Sequence, residues 1–360
     1  MTTDTAPSID QDKLNEAIGR VLGDYLSTMA GPLIYIGDRN GLFAAMDGAG
    51  PLTPEALAEK TGQSARYVRE WLGAMACSGH VEYDAGSGTY TLTPEVAMLL
   101  ANPDSPVFLA GNFQMLPTFY RNAAQVADAF RTGAGVPQTE YGEEFWAGFE
   151  RFTRAQFLNH LLQEWIPGLD GVENKLQQGA RVADVGCGNG QALIILARAF
   201  PRSQFVGYDD YPLAVDAARN RIADVGLGER ISIQLRDVNE GLPETYDLIT
   251  TFDVVHDMVD PLEALRKIRA ALAPGGTLMW TEFNVSDDLG DNLGHPVNLG
   301  KFAYSASTMY CMTTSLARGG AGFGTCLGHR AEELARDAGF SHFRQLPLND
   351  PFTVVYEARR

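Results

Sequence analysis

Val182-Ala183-Asp184-Val185-Gly186-Cys187-Gly188-Asn189-Gly190 decides the fold of this chain. Its first half is a short apolar strand, its second half three glycines at alternate positions, and residues 191–200 continue as a helix. A strand that ends in glycines and feeds a helix lets the backbone approach a ligand closely, in the crevice beyond the strand's carboxyl end. Working outward, the same rhythm repeats. Residues 204–208 read as a second strand ending in Asp209 and Asp210, residues 231–235 as a third ending at Asp237, and residues 246–252 as a fourth. Helical patterns at 213–225 and 261–272 separate them, and Pro274-Gly275-Gly276 turns into a fifth strand at 277–282. This alternation predicts βαβ units and an α/β fold, its parallel sheet covered on both faces. Towards the end, residues 331–338 read as helix, and residues 340–346 and 352–358 as an antiparallel hairpin that closes the sheet.

The residues at the strand ends carry the chemistry. Asp209 follows Gly186 by 23 residues, which sets a carboxylate beside the glycine turn, suited to the hydroxyl pair of a ribose. Nicotinamide enzymes and S-adenosylmethionine enzymes share this device. A dinucleotide turn places its third glycine three residues after the second, where this chain has Gln191, and no Tyr-x-x-x-Lys pair is present for hydride chemistry. Asp184 lies two residues before the first glycine. A carboxylate there sits poorly beside a pyrophosphate and well beside an ammonium group.

Val182–Gly190, Asp209, Asp237 and Pro274-Gly275-Gly276 resemble, in order and spacing, the motifs of class I S-adenosylmethionine-dependent methyltransferases, over roughly residues 180–360. The resemblance implies a Rossmann-like parallel sheet with a reversed terminal strand. It also implies that Gly186, Gly188 and Gly190 line the methionyl part of the cofactor and that Asp209 binds its ribose. Asp237 and Val238 would meet the adenine, and Phe252 and Asp253 would face the cofactor from the end of the fourth strand. His256 follows that strand in Phe252-Asp253-Val254-Val255-His256-Asp257, where an imidazole beside Asp257 can take a proton from a hydroxyl or an amine. The position is similar to that of the catalytic histidine in winged-helix O-methyltransferases, which stands in a His-Asp-Trp or His-Asn-Trp run; here Met258 replaces the tryptophan.

Upstream, residues 12–47 are helical, with Leu14, Ile18, Val21, Leu22 and Tyr25 on one face. Thr53-Pro54-Glu55 opens a helix that stops at Gly62, a second runs from Ser64 to Gly79, and residues 81–83 and 89–92 flank Gly86-Ser87-Gly88 as a hairpin. Together they make a winged helix over residues 1–100. Its second helix offers only Arg66 and Arg69 as cations, with Glu70 beside them. Phosphate contacts supply most non-specific affinity for DNA, so the domain reads as a packing unit, by analogy a homodimer interface. Residues 101–176 form an aromatic-rich helical link or cap, and 177–360 the catalytic domain. Within it, 283–328 is a long insertion read as a lid over a small acceptor, with Tyr304, Met309 and Cys311 as pocket candidates. Gly319–Gly324 lacks a GK[ST] ending and any basic residue, which sets it apart from a phosphate loop.

Composition narrows the partners. In 360 residues, 45% apolar and 20% charged content allow a sizeable core, and a net charge of −17 opposes binding to nucleic acid or anionic lipid. No apolar run approaches a membrane span, residues 1–11 lack a signal-peptide pattern, and four scattered cysteines without CxxC spacing fit a reducing cytoplasm and give no metal signature. Three readings stay open: a small-molecule methyltransferase, a nicotinamide-dependent oxidoreductase, and a winged-helix DNA-binding regulator that senses S-adenosylmethionine.

Overall fold

The computed structural model describes residues 9–294 and 297–360, so most of the polar lead-in over residues 1–11 lies outside the described residues. The chain divides into two compact units, Met1–Pro117 with Glu143–Ala155 and Thr118–Gly142 with Gln156–Arg360.

The first unit is built from helices. α1 (Gln11–Arg39) starts at Asp10, whose Oδ1 accepts from the backbone N–H groups of Asp12 and Lys13. Its later half packs inward. Gly37 there leaves room for the rings of Trp71 and Phe43, which a Cβ would meet at 2.5 and 2.7 Å, and Trp71 Nε1 donates to the Leu33 carbonyl at 2.8 Å. The earlier half carries the apolar face from Leu14 to Tyr25, and that face is exposed, Val21 to 70%. After α2 (Leu42–Met46), Thr53 caps α3 (Pro54–Thr61), which ends at Gly62 with φ 66°. α4 (Ala65–Cys77) buries Val68, Trp71, Leu72 and Met75, the stripe that a 3.6-residue period aligns. β1 (Glu82–Asp84) and β2 (Thr89–Thr91) pair antiparallel as the wing. Arg66 is paired with Glu70 and Arg69 with Glu55, so both cations of α4 are already matched by acids. Residues 143–155 complete this unit, Arg151 holding Asp38 through two bonds of 2.6 and 2.8 Å.

The second unit is a seven-stranded sheet. Its strands are β3 (Arg181–Val185), β4 (Gln204–Asp209), β5 (Ile231–Leu235), β6 (Tyr246–Phe252), β7 (Leu272–Phe283), β8 (His342–Gln345) and β9 (Thr353–Arg359), in the order β5-β4-β3-β6-β7-β9-β8. β3 to β7 are parallel, and β9 is antiparallel to both neighbours, as the closing hairpin requires. Alternate side chains fill two separate cores. Val182, Leu248, Met279 and Val355 face one, and Ala183, Ile249, Leu278 and Trp280 the other, which is why these strands read as near-continuous apolar runs. Glu357, fully buried in β9, is held between Arg344 and Arg359.

The insertion is ordered differently from a lid made of loop. Within residues 283–328, Leu289–Asn292 is a short helix, and Leu299–Ala306, Ser307–Cys311 and Met312–Ala317 run on as one helix with a π-helical turn in its middle. A second π-helical stretch covers Phe157–Trp165. The glycine cluster packs against the insertion helix: a Cβ on Gly324 would lie 2.0 Å from Ser307 Oγ, and one on Gly322 2.8 Å from Leu316.

Candidate active site

Where β3 ends, Gly186, Gly188 and Gly190 all take positive φ, at 73°, 51° and 76°. A Cβ on Gly186 would sit 2.5 Å from Val254, whereas one on Gly188 would meet nothing within 4 Å, so the turn is packed on one side and open on the other. Asp209, at the end of β4, braces it: Gly188 N–H donates to Asp209 Oδ2 and Tyr211 N–H to Oδ1, both at 2.9 Å. Burial still pushes the Asp209 carboxyl up to about 6. Asp184 is buried under the turn, and burial raises it to about 7 even though Thr250 Oγ1 donates to it at 2.8 Å. At the end of β5, Asp237 Oδ1 accepts from Asn239 N–H at 2.8 Å and from Asn239 Nδ2 at 3.1 Å, with Val238 buried between them. This fixes the Asn239 amide with its Oδ1 buried and unmatched.

At the end of β6, Phe252 packs edge-on against Phe157, 4.8 Å between centroids, and near Trp165, both from the π-helical stretch. Asp253 follows at φ 52°, a left-handed conformation that a non-glycine residue holds only under constraint. Burial, then the nearby Glu282 carboxylate, push Asp253 up to about 7. His256 lies in the next turn, 1% exposed, with Nδ1 2.5 Å from Glu282 Oε2 and Nε2 3.3 Å from Asp257 Oδ1. Glu282 comes from the carboxyl end of β7, is itself 1% exposed, and accepts at Oε1 from Trp280 Nε1 at 2.7 Å. Burial would lower the imidazole's proton affinity, but Glu282 and Asp257 outweigh it and hold the imidazole well above its usual value. The buried Cys311 thiol, raised to about 12 chiefly by burial, is the third partner of this imidazole.

Most residues singled out in the sequence therefore sit at the carboxyl ends of β3 to β7. The pocket candidates divide. Cys311 reaches His256; Met309 contributes its carbonyl, which accepts from the Tyr141 hydroxyl; Tyr304 is 39% exposed and lies beside Cys326. Arg318, just after the insertion helix, donates to Asp210 Oδ2 at 2.5 Å and to the Asp257 carbonyl at 3.3 Å. Sequence reasoning missed Glu282 and Arg318. The available signal for Glu282 was a lone acid inside an apolar strand covered on both faces, which must find a partner.

Family comparisons agree with this architecture. Residues 176–339 match a methyltransferase domain, and residues 28–102 match an Rv2258c-like winged HTH domain. The chain is a winged-helix, S-adenosylmethionine-dependent methyltransferase. The methyltransferase is 28% identical over 239 residues to mitomycin biosynthesis 6-O-methyltransferase of Streptomyces lavendulae, covering 64% of this chain and 67% of that one. It is 26% identical to the phenazine O-methyltransferase of Lysobacter antibioticus, covering 69% and 74%. In fold, it superposes on human N-acetylserotonin methyltransferase with a TM-score of 0.67 at 21% identity, over 99% of each chain. Among the described residues, no helix is long and apolar enough to cross a membrane.

Proposed function

We propose that this methyltransferase moves a methyl group from S-adenosylmethionine to a hydroxyl of a small aromatic acceptor, with His256 as the general base and Glu282 orienting it. The single observation that carries the reading is the buried His256–Glu282 pair, 2.5 Å apart at the carboxyl edge of the sheet. A carboxylate on Nδ1 fixes the ring and its tautomer, so that in the neutral imidazole, which given the raised proton affinity is populated as pH rises, Nε2 is the nitrogen that meets the acceptor's proton.

The donor's features fit the residues present. An open glycine turn admits an unbranched methionyl chain, and Asp209 keeps lone pairs for two ribose hydroxyls. The unmatched Asn239 Oδ1 suits an exocyclic amine on adenine. Buried carboxyls at Asp184 and Asp209 stand in one another's field, an environment that a cationic ligand relieves and a pyrophosphate aggravates. That contrast sets the nicotinamide reading aside. Bound there, S-adenosylmethionine supplies a methyl carbon on a sulfonium, open to in-line displacement. The protein's part is to align the acceptor oxygen, exclude water and receive the proton. Phe283 lies 6.1 Å from His256 and 5.5 Å from Phe302, and Tyr141 stacks edge-on with Tyr310, which feels the Asp257 charge. A planar aromatic acceptor matches these ring faces.

Calorimetric titration with S-adenosylmethionine tests the donor site, and turnover of a phenol panel by wild type and His256→Ala tests the base. A variant as active as wild type refutes His256 in that role. A homodimer built on the exposed apolar face of α1 completes the reading, as does a cytoplasmic setting that keeps all four thiols reduced. The matched charges on α4 argue against DNA binding.

A further inference from the structure

We propose that His256, Asp257 and Cys311 form a binding site for a thiophilic divalent cation of the zinc class, which takes the nitrogen otherwise used as the base. One donor atom from each residue lies within 4.8 Å of the other two. His256 and Asp257 come from the turn after β6, and Cys311 from the π-helical turn of the insertion. The fold assembles the site from distant segments, and no cysteine spacing in the sequence marks it.

Three observations support a cation over a chance cluster. First, imidazole, thiolate and carboxylate are the donors that zinc accepts, and three protein ligands leave a fourth position open. Second, Glu282 already holds Nδ1 at 2.5 Å, the outer carboxylate that orients metal-binding histidines, and this leaves Nε2 to ligate. Third, Asp257 Oδ1 is shielded from solvent and turned toward the other two donors of the cluster, with His256 Nε2 at 3.3 Å and the Cys311 thiol beside it. A shielded carboxylate oxygen converging with a thiol and an imidazole presents a cation with three donors of the types that zinc takes. Ligands on a tetrahedral zinc lie about 3.3–3.8 Å apart, so closure asks for a contraction of about 1 Å. Binding forms three metal–ligand bonds and releases the Cys311 proton, with any proton held on Nε2, to solvent. No electrons move. The two anionic ligands then balance the dication.

The site rests on geometry alone; only its consequence, that the cation switches methyl transfer off, rests on His256 being the base. The experiment uses the full chain after chelator treatment, without donor or acceptor, so it reads binding whatever His256 does in turnover. ZnCl2 is titrated by calorimetry and CoCl2 by absorption. One cation binds per chain with a micromolar or tighter dissociation constant, and cobalt gives a thiolate-to-metal charge-transfer band. Cys311→Ser abolishes the band and weakens zinc at least about tenfold, with its melting temperature showing that it folds; Cys326→Ser leaves both unchanged. Asp257→Asn, as a second variant, weakens cobalt binding about tenfold or more and keeps the band. No micromolar binding by wild type, a band that survives Cys311→Ser, or undiminished affinity in Asp257→Asn overturns the proposal.

Discussion

In the proposed mechanism His256 and Asp209 divide the chemistry between them, which predicts that each can be removed without disturbing the other's part. In His256→Ala the proton acceptor is gone while the glycine turn is intact. Its kcat falls about 10²–10⁴-fold, and calorimetry returns the wild-type affinity for S-adenosylmethionine. Glu282→Gln keeps the shape and loses the charge that orients the ring, so kcat falls about tenfold or more with little change in KM for the donor. Asp209 gives a pH dependence whose sign is fixed. Its carboxyl, raised by burial to about 6, accepts ribose hydroxyls best when ionised. Donor affinity is therefore full above pH 6 and weakens as pH falls through it, and Asp209→Asn removes that inflection in calorimetry across pH. At this scale the sequence was half legible. Asp209 and His256 could be singled out because one ends β4 and the other lies in the turn after β6, at the edge of the sheet where ligands bind. Glu282 was hidden because its one local mark, an acid in an apolar strand, names no partner; that partner is His256, which is 26 positions away and reaches it only when β6 and β7 pair.

Elements show the same division for a different reason. The strands were readable because burial on both faces forces unbroken apolar runs, and α3 was readable because Thr53, Pro54 and Gly62 mark its two ends. The insertion was not. A π-helical turn at Ser307–Cys311 breaks the 3.6-residue period, so the helical run from Leu299 to Ala317 looked like patternless chain. Such turns concentrate at functional sites, and this one delivers Cys311 to His256. Backbone geometry makes a further prediction. Gly186→Ala places a methyl 2.5 Å from Val254 at φ 73°, so the turn must shift. We expect about 1–3 kcal/mol lost in denaturant unfolding, together with loss of donor binding.

For the whole molecule, the exposed face of α1 is the feature that composition could not reveal. Periodicity placed those residues on one helical face, and in the single chain that face is exposed. If a second copy covers them, Val21→Glu with Leu22→Glu yields a monomer in analytical ultracentrifugation, while the single-chain contacts of Ile34 and Trp71 stay in place. A wild-type monomer at micromolar concentration refutes the dimer. Acid also shapes stability. Burial raises Asp184 from its ordinary range to about 7, so the folded state holds more protons than the unfolded chain between those limits. That contribution favours the fold at low pH and is lost as pH rises through 7, so donor-free protein melts at lower temperature on the alkaline side. Arg318 carries a kinetic consequence. One guanidinium joins Asp210, next to Asp209, to the carbonyl of Asp257, next to His256. If that link couples the two half-sites, the donor is expected to bind first and its demethylated product to leave last, which initial-rate kinetics check by whether S-adenosylhomocysteine competes with the donor alone. Arg318→Ala loosens that compulsory order into a random one.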